Sequence, residues 1–262
     1  MPLLALEPPT SITAVLRRLT ADPGRPRLTW YGADGERVEL SGHVLDNWVV
    51  KTTNLLVEEF EAGPGTTVLL DLPSHWRTVV WAFATWQAGA TVLAPGGPGE
   101  RGPGGTAPLG PGSAADPADL VVCTDPAAHP RAASLVAVSL PALSRRFDGA
   151  LPAGAIDAAT AVMTYPDRLG WVPATDGALP ALVSPGLSIS HEAILELALE
   201  RGHGWSDRPR VVIELGRTTR SLSDTLLDVL AGLARDGSAV LVGSSADAER
   251  IVGIEKVTDR VE

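Results

Sequence analysis

The chain has 262 residues, of which 45% are hydrophobic and 20% charged, and its formal net charge is −10. This length and composition are typical of a globular protein that buries a sizeable core without a disulfide or a metal. The acidic charge and the pI near 5.0 argue against nucleic acid as a partner, because such proteins need a basic face to displace counterions from phosphates.

The sequence shows no export signal and no membrane span. Residues 1–10, MPLLALEPPT, lack a basic region and a small-residue cleavage site. Residues 78–99 carry no charged side chain, but Gly89 and the cluster at 95–98 interrupt them, which favours a buried helix followed by a buried strand. The single cysteine, Cys123, ends an apolar run and is typical of a buried reduced thiol rather than a reactive nucleophile. We therefore expect a cytoplasmic protein.

The first ordered elements are predicted to be a hairpin and a long helix. Residues 27–40, RLTWYGADGERVEL, read as two short strands around Asp34-Gly35, a favoured turn pair. Ser41 is a suitable cap for a helix that runs on to the glycine and proline residues at 63–65.

A βαβ unit should follow. Residues 66–72 and 90–95 are apolar runs that predict buried strands on either side of a helix. Trp76, Trp81 and Trp86 are spaced five apart in that helix. Side chains at this spacing point to different sides, so the helix should be covered on most faces.

The rest of the chain alternates between strand and helix patterns. Residues 96–118 are rich in glycine and proline and predict a long surface loop. We then predict strands at 119–125, 134–140, 160–165, 180–184, 210–215 and 238–243, and helices at 191–201, 221–237 and 246–256. This alternation predicts a single α/β domain, residues 1–262, with a mostly parallel sheet.

Three stretches carry a recognisable family pattern. They are AGPGTTVLLDLPSHW (62–76), ATWQAGATVLAPG (84–96) and VSPGLSISHEAILELA (183–198). These stretches resemble adenylate-forming enzymes, the AMP-binding superfamily that includes acyl-CoA synthetases, luciferases and the adenylation domains of peptide synthetases. Ser74 departs from the pattern, since the family usually has asparagine there.

The resemblance spans nearly the whole chain but covers only the first half of the family's large domain. In this limited coverage the chain resembles short relatives from high-GC Gram-positive bacteria. It implies layered, mostly parallel sheets with flanking helices. A shared fold does not by itself imply a reaction.

The superfamily holds ATP phosphates with a signature loop, TSGTTGxPKG, that precedes the histidine-containing segment. The matching stretch here is ATDGALPALVSPG (174–186), in which Thr175, Asp176 and Gly177 are the candidate remnant of a cofactor-binding loop. Asp176 adds negative charge where phosphates would sit. The family's later motifs, including a catalytic lysine, lie past the position at which this sequence ends. We therefore expect no cofactor, with AMP or ATP bound by backbone N–H groups as the alternative.

Other candidate sites compete with simpler structural interpretations. Residues 216–221, GRTTRS, place Arg217 and Arg220 before a helix N-terminus, where an anion could bind, but the segment also reads as an ordinary loop and cap. Ser190 lacks the following glycine of a nucleophile elbow and is better explained as a helix cap. The five histidines are isolated in sequence, so no metal site is expected, and His191 is interpreted as positional.

We conclude from the sequence that the chain is a non-catalytic relative of adenylate-forming enzymes, acting as a binding or interaction module. Uncovered sheet edges and helix faces would favour a homo-oligomer or a protein partner. Two alternatives stay open. One is the subunit of a split acyl-adenylating ligase, completed by a partner chain. The other is a sensor of a nucleotide or an acyl-adenylate.

Overall fold

The structure of the chain, a computed structural model, describes residues 9–32, 34–96, 118–215, 220–243 and 247–261. In these ranges the α-helices are α1 (Ile12–Leu19), α2 (Gly42–Phe60), α3 (Trp76–Gln87), α4 (Ala158–Ala161), α5 (Ile194–Arg201), α6 (Leu222–Ala234) and α7 (Ala248–Glu255). The strands are β1 (Pro26–Tyr31), β2 (Arg37–Ser41), β3 (Thr67–Asp71), β4 (Thr91–Leu93), β5 (Leu120–Cys123), β6 (Leu135–Ala137), β7 (Ile156–Asp157), β8 (Pro180–Ser184), β9 (Leu187–Ser190), β10 (Arg210–Glu214), β11 (Ser238–Val242) and β12 (Asp259–Arg260). Nearly all of the predicted surface loop at 96–118 lies outside the described residues.

The described strands form two mostly parallel sheets. Sheet A has the order β12-β10-β11-β1-β2, and sheet B has the order β7-β6-β5-β3-β4-β8-β9. The antiparallel pairs in these ranges are β1 with β2 and β8 with β9. The predicted βαβ unit is confirmed, since β3 and β4 pair in parallel and α3 connects them. The α/β class and its mostly parallel sheets are therefore confirmed.

Helix α3 lies between the two sheets. All 12 of its residues are buried, and it contacts β3 and β4 of sheet B and β1 of sheet A. The indole N–H of Trp86 donates to the carbonyl of Ala181 at 2.8 Å, which satisfies a polar group that would otherwise be buried without a partner. The prediction of a helix covered on most faces is confirmed. Helix α6 similarly contacts β10 and β11 of sheet A and β8 of sheet B.

Two local predictions were wrong. The predicted strand at 160–165 is instead helix α4 followed by a short 3₁₀ turn, because Asp157 caps the segment by accepting the N–H of Ala159 at 2.9 Å. The helix predicted at 191–201 begins only at Ile194. Ser190 ends β9, and its hydroxyl accepts the N–H of Ala193 at 3.3 Å, so it caps a turn instead of the helix itself.

His75 connects the sheets at the start of α3. Its Nδ1 accepts the N–H of Arg77 at 3.2 Å and so caps the helix. Its ring packs edge-on against Trp30 of β1, with 4.6 Å between the ring centroids. Burial, together with the Arg77 charge, lowers the pKa of His75 to about 3. The imidazole is therefore neutral in the folded protein well below neutral pH.

This low pKa predicts an acid-sensitive fold. His75 takes up a proton below its ordinary pKa of 6.5 in the unfolded chain, but only near pH 3 in the folded chain. Its stabilising contribution is thus complete above pH 6.5 and is lost as the pH falls toward 3. We expect the free energy of unfolding to fall by about 2 kcal/mol between pH 7 and 5 from this group, at about 1.4 kcal/mol per pH unit.

Urea unfolding at a series of pH values measures this loss, with His75→Asn as the matched variant. Asparagine keeps a capping acceptor and does not titrate. We expect the variant to have a shallower dependence on pH between 7 and 5. Equal slopes for the two proteins would show that His75 is not the group responsible.

Candidate functional site

The stretch that resembles the phosphate signature folds mainly as a strand and a tight turn. Strands β8 and β9 are joined through Pro185 and Gly186, and Ser184 pairs with Leu187 across them. Gly186 has a φ of 73°, which a turn with proline followed by glycine requires. The matching stretch, residues 174–186, therefore comprises the segment that contains Thr175, strand β8 and this turn. In this chain strand β8 and a two-residue turn occupy most of that stretch.

Several backbone N–H groups of this stretch already have acceptors. Ala178 and Leu179 donate to the side chain and the carbonyl of Asp176, at 3.0 and 3.2 Å. Pro180 and Pro185 have no N–H to donate. The rest of β8 pairs with β4 on one side and with β9 on the other, which directs its backbone groups into the sheet. The hairpin therefore does not form a cradle of free N–H groups for phosphate.

The candidate remnant of the loop lies just before this hairpin. Thr175 and Asp176 are exposed, and Thr175 packs against Gly89 in the turn between α3 and β4. The carbonyl of Gly177 accepts the N–H of Glu192 at 3.0 Å, and the Glu192 side chain lies beside Gly177. Two carboxylates, those of Asp176 and Glu192, thus border the segment, and their charge disfavours a phosphate there.

Arg220 lies at the other candidate position, immediately before α6. Its guanidinium is only 9% exposed and donates to the carboxylate of Asp228, which is 2% exposed. Arg201 donates from Nε to the other oxygen of Asp228 at 2.8 Å. Because Asp228 already binds Arg220, an added anion would have to compete with a buried carboxylate. Arg217 lies outside the described residues.

The two candidate groups are at opposite ends of β8. Residues 175–177 precede its first residue, whereas Ser184, its last residue, donates to the hydroxyl of Ser223 in the first turn of α6 at 3.2 Å. Arg220 is therefore near the carboxyl end of the strand, and Thr175 is near the amino end. The structure does not bring them together into one site.

Sequence analysis missed a polar pair at the carboxyl edge of sheet B. Nε2 of His129 lies 2.9 Å from Oδ2 of Asp71, with Asp71 ending β3 and His129 following the neighbouring strand β5. The available signal was a polar residue after each of two buried strands, but using it required the strand order. Among the described residues, no hydroxyl or thiol is hydrogen-bonded to His129, so the pair lacks the nucleophile of a catalytic triad.

Cys123, at the end of β5, is fully buried, as expected. Burial and then the Asp71 carboxylate raise the pKa of its thiol to about 12. The thiolate is the reactive form of cysteine, so this residue is inert at neutral pH.

Two further properties concern the described residues as a whole. No group of three or more His, Cys, Asp or Glu side chains is placed to hold a metal ion in the described ranges. None of the helices in those ranges has the length and apolar character needed to cross a bilayer.

Solved structures with this fold define its class. Acetoacetyl-CoA synthetase from Streptomyces lividans matches with a TM-score of 0.69 and 15% identity, over 95% of this chain and 41% of that enzyme. An acyl-CoA synthetase from Brucella canis matches with a TM-score of 0.65 and 15% identity, over 95% and 50%. The anthranilate CoA ligase AuaEII, solved with anthranoyl-AMP, gives 0.65 and 13%, over 95% and 49%. The chain has the N-terminal domain fold of adenylate-forming enzymes and spans half or less of the length of these three.

No protein-family profile matches the chain. A TIGR03089 family protein from Mycobacterium tuberculosis (strain ATCC 25618 / H37Rv) is 34% identical over 267 aligned positions, which cover 95% of this chain and 98% of that protein. The chain belongs to the TIGR03089 family. The solved enzymes are much less similar in sequence, and their likeness establishes the fold without a reaction.

The buried charge cluster before α6 predicts that substitutions of two aspartates differ greatly in their effect on the free energy of unfolding. Asp228→Asn leaves Arg201 and Arg220 without their shared carboxylate, and we expect a loss of about 3–5 kcal/mol in the free energy of unfolding. Asp224 is 43% exposed and pairs with Arg201 at 3.2 Å. Asp224→Asn, the matched control, should cost only about 1 kcal/mol. Urea unfolding of both variants measures the difference, and similar losses would show that the cluster is not a structural anchor.

Proposed function

We propose that this chain is a non-catalytic member of the adenylate-forming fold and serves as a binding or interaction module. The observation that carries the proposal is the connection between β8 and β9. Pro185 and Gly186 make it a two-residue turn, and the preceding positions are paired on both sides in sheet B. A triphosphate needs several converging donors, and this hairpin offers few.

The positions of the lysines also support a non-catalytic role. The signature loop of the superfamily uses a lysine, and this sequence has lysine only at positions 51 and 256. Lys51, on α2, donates to the carbonyl of Tyr165 at 2.5 Å. Lys256 follows the last residue of α7 with a φ of 51°. Neither residue belongs to the β8–β9 hairpin, so no lysine stands in for the one in the signature.

The size of the expected catalytic loss is large. Removing one preorganised donor from a site that stabilises developing charge costs about 3 kcal/mol of the barrier. Losing a hydroxyl, a lysine and the loop N–H groups would forfeit about 9 kcal/mol on this basis. The low end of the rate enhancement that enzymes supply corresponds to about 8 kcal/mol. Acyl adenylation at this hairpin would therefore be near the uncatalysed rate.

Exposed apolar side chains support an interaction role. Trp171 is 78% exposed, Met163 is 59% exposed and Leu143 is 93% exposed. Tryptophan and methionine are enriched in protein interfaces, where tryptophan often carries much of the binding energy. All three lie in the part of the chain between β6 and β8. We propose this part of the chain as the region that contacts a partner, either a second copy or another protein.

A split ligase is the second candidate function. It is favoured because the chain spans only part of each solved enzyme. The chain spans 41% of the Streptomyces lividans enzyme and 50% of the Brucella canis enzyme. In this alternative a second polypeptide supplies the phosphate-binding and catalytic groups. The fold of this chain would then serve as a scaffold for the assembled site.

Pyrophosphate exchange distinguishes these functions. We expect the purified chain, given ATP, magnesium, labelled pyrophosphate and a panel of carboxylic acids, to show no label in ATP above the protein-free background. An acyl-CoA synthetase with its own acid is the positive control. Exchange that rises with the concentration of the purified chain would contradict the proposal. Exchange that requires a second polypeptide would support the split ligase.

A further inference from the structure

A cleft of about 460 Å³ lies at the amino edge of sheet A, away from the hairpin and from Arg220. Three elements form it: the last turns of α1, the first residues of β1, and the segments that lead into β10 and β11. Its lining residues are Ala14, Arg17, Arg18, Ala21, Asp22, Arg27, Arg208 and Asp236. Arginines thus make up half of the lining.

The cleft is positively charged in a strongly acidic protein. Four arginines and two aspartates line it, which leaves a formal charge of +2, whereas the whole chain carries −10. Arg25 contacts one of the lining residues, since it donates to the carbonyl of Asp236 at 3.0 Å. Burial and then the charges of Arg27 and Arg208 lower the pKa of Arg25, as expected where cations outnumber carboxylates.

Arg27 forms the base of the cleft. It is fully buried, and its guanidinium donates to the carbonyls of Asp236 and Gly237 at 2.6 and 3.1 Å. Its Nη2 lies 2.8 Å from the Asp236 carboxylate. Its Nε is buried and has no hydrogen-bond partner among the described residues. Because Arg27 has no accessible surface, it contributes positive charge beneath the cleft and not a direct hydrogen bond to a ligand.

A purely structural role accounts for only part of this arrangement. The contacts of Arg27 with Asp236 join β1 to the turn before β11, and Arg208 contributes a 2.8 Å pair with the same carboxylate. One aspartate, however, then faces three arginines. Arg17 is exposed on α1 and has no ion-pair partner within the described ranges. The cations therefore exceed what holding the fold requires.

We propose that this cleft is an anion site for a phosphate-bearing small molecule, with the buried charge of Arg27 beneath it and the exposed guanidiniums of Arg17 and Arg208 donating to the phosphate. Guanidinium groups match phosphate oxygens with paired hydrogen bonds, which favours phosphate over a simple carboxylate. The volume falls within the range of cofactor-sized pockets, about 300–1,000 Å³. Because the cleft lies at the amino edge of sheet A, the proposal is independent of the chemistry at the β8–β9 hairpin.

Calorimetric titration with inorganic pyrophosphate tests this site. We expect saturable binding by the unmodified chain that weakens as salt is added. The double variant Arg17→Gln/Arg208→Gln should bind about a hundredfold more weakly, since each of the two lost charge-assisted bonds is worth about a factor of ten. The matched control is Arg131→Gln/Arg145→Gln, which removes the same charge from two exposed arginines between β5 and β7.

Each possible outcome of the titration either supports or overturns the proposed anion site. Binding that is lost in the first double variant and kept in the second supports the cleft. No binding by the unmodified chain at millimolar pyrophosphate, or equal weakening in both double variants, would overturn it. If the first double variant does not fold, as judged by circular dichroism, Arg17→Gln alone gives the same test because this side chain is exposed on α1. Pyrophosphate bound here without any exchange activity leaves the proposed function intact.

Discussion

Helix α3 has no face toward solvent, because helix α2 and strands of both sheets cover it. Sheet B contacts it through β3 and β4, and sheet A contacts it through β1. Its charged residue, Arg77, is accommodated because its guanidinium stacks over Trp76, 4.3 Å from the ring centroid, and donates to the carbonyl of Leu140 at 3.2 Å. Helix α3 thus joins the two sheets, as α6 also does through β10, β11 and β8.

Once the sheets are placed, the possible sites are placed with them. The carboxyl edge of sheet B holds Ser184 against the first turn of α6, the Asp71–His129 pair and the end of β5. In parallel α/β proteins this edge is where ligands bind. Here Ser184 bonds to Ser223 and Asp71 to His129, and a two-residue turn joins β8 to β9. The chain keeps the N-terminal domain fold of the enzymes, and we propose that this hairpin does not bind phosphate.

Local pattern predicted much of the fold. The hairpin at 27–40, the βαβ unit and the covering of α3 follow from periodicity, turn residues and tryptophan spacing, which depend on neighbours in sequence. The segment at 160–165 was misassigned because its apolar residues fit a strand, while one capping aspartate made it helical. Helix α1 was missed, although Ile12, Leu16 and Leu19 repeat at helical spacing.

The candidate sites were predicted less well, for a physical reason. In the sequence, Thr175 and Arg220 are both polar residues near the boundary of a helix or a loop. Only the structure shows that they lie at opposite ends of β8. The arginine cleft joins Arg17 to Arg208 and Asp236, which are far apart in sequence. Its existence depends on the packing of α1 against α2, α3 and α6, and no local pattern reveals those contacts.

The most direct test of the account is an NMR titration of the isotope-labelled chain with magnesium ATP, followed at the backbone amides of the hairpin. The account predicts that the amides of Gly177, Ser184 and Gly186 keep their chemical shifts at millimolar nucleotide, because the turn offers no phosphate cradle. Saturable shifts at those three amides would show that the hairpin binds the triphosphate and would contradict the account.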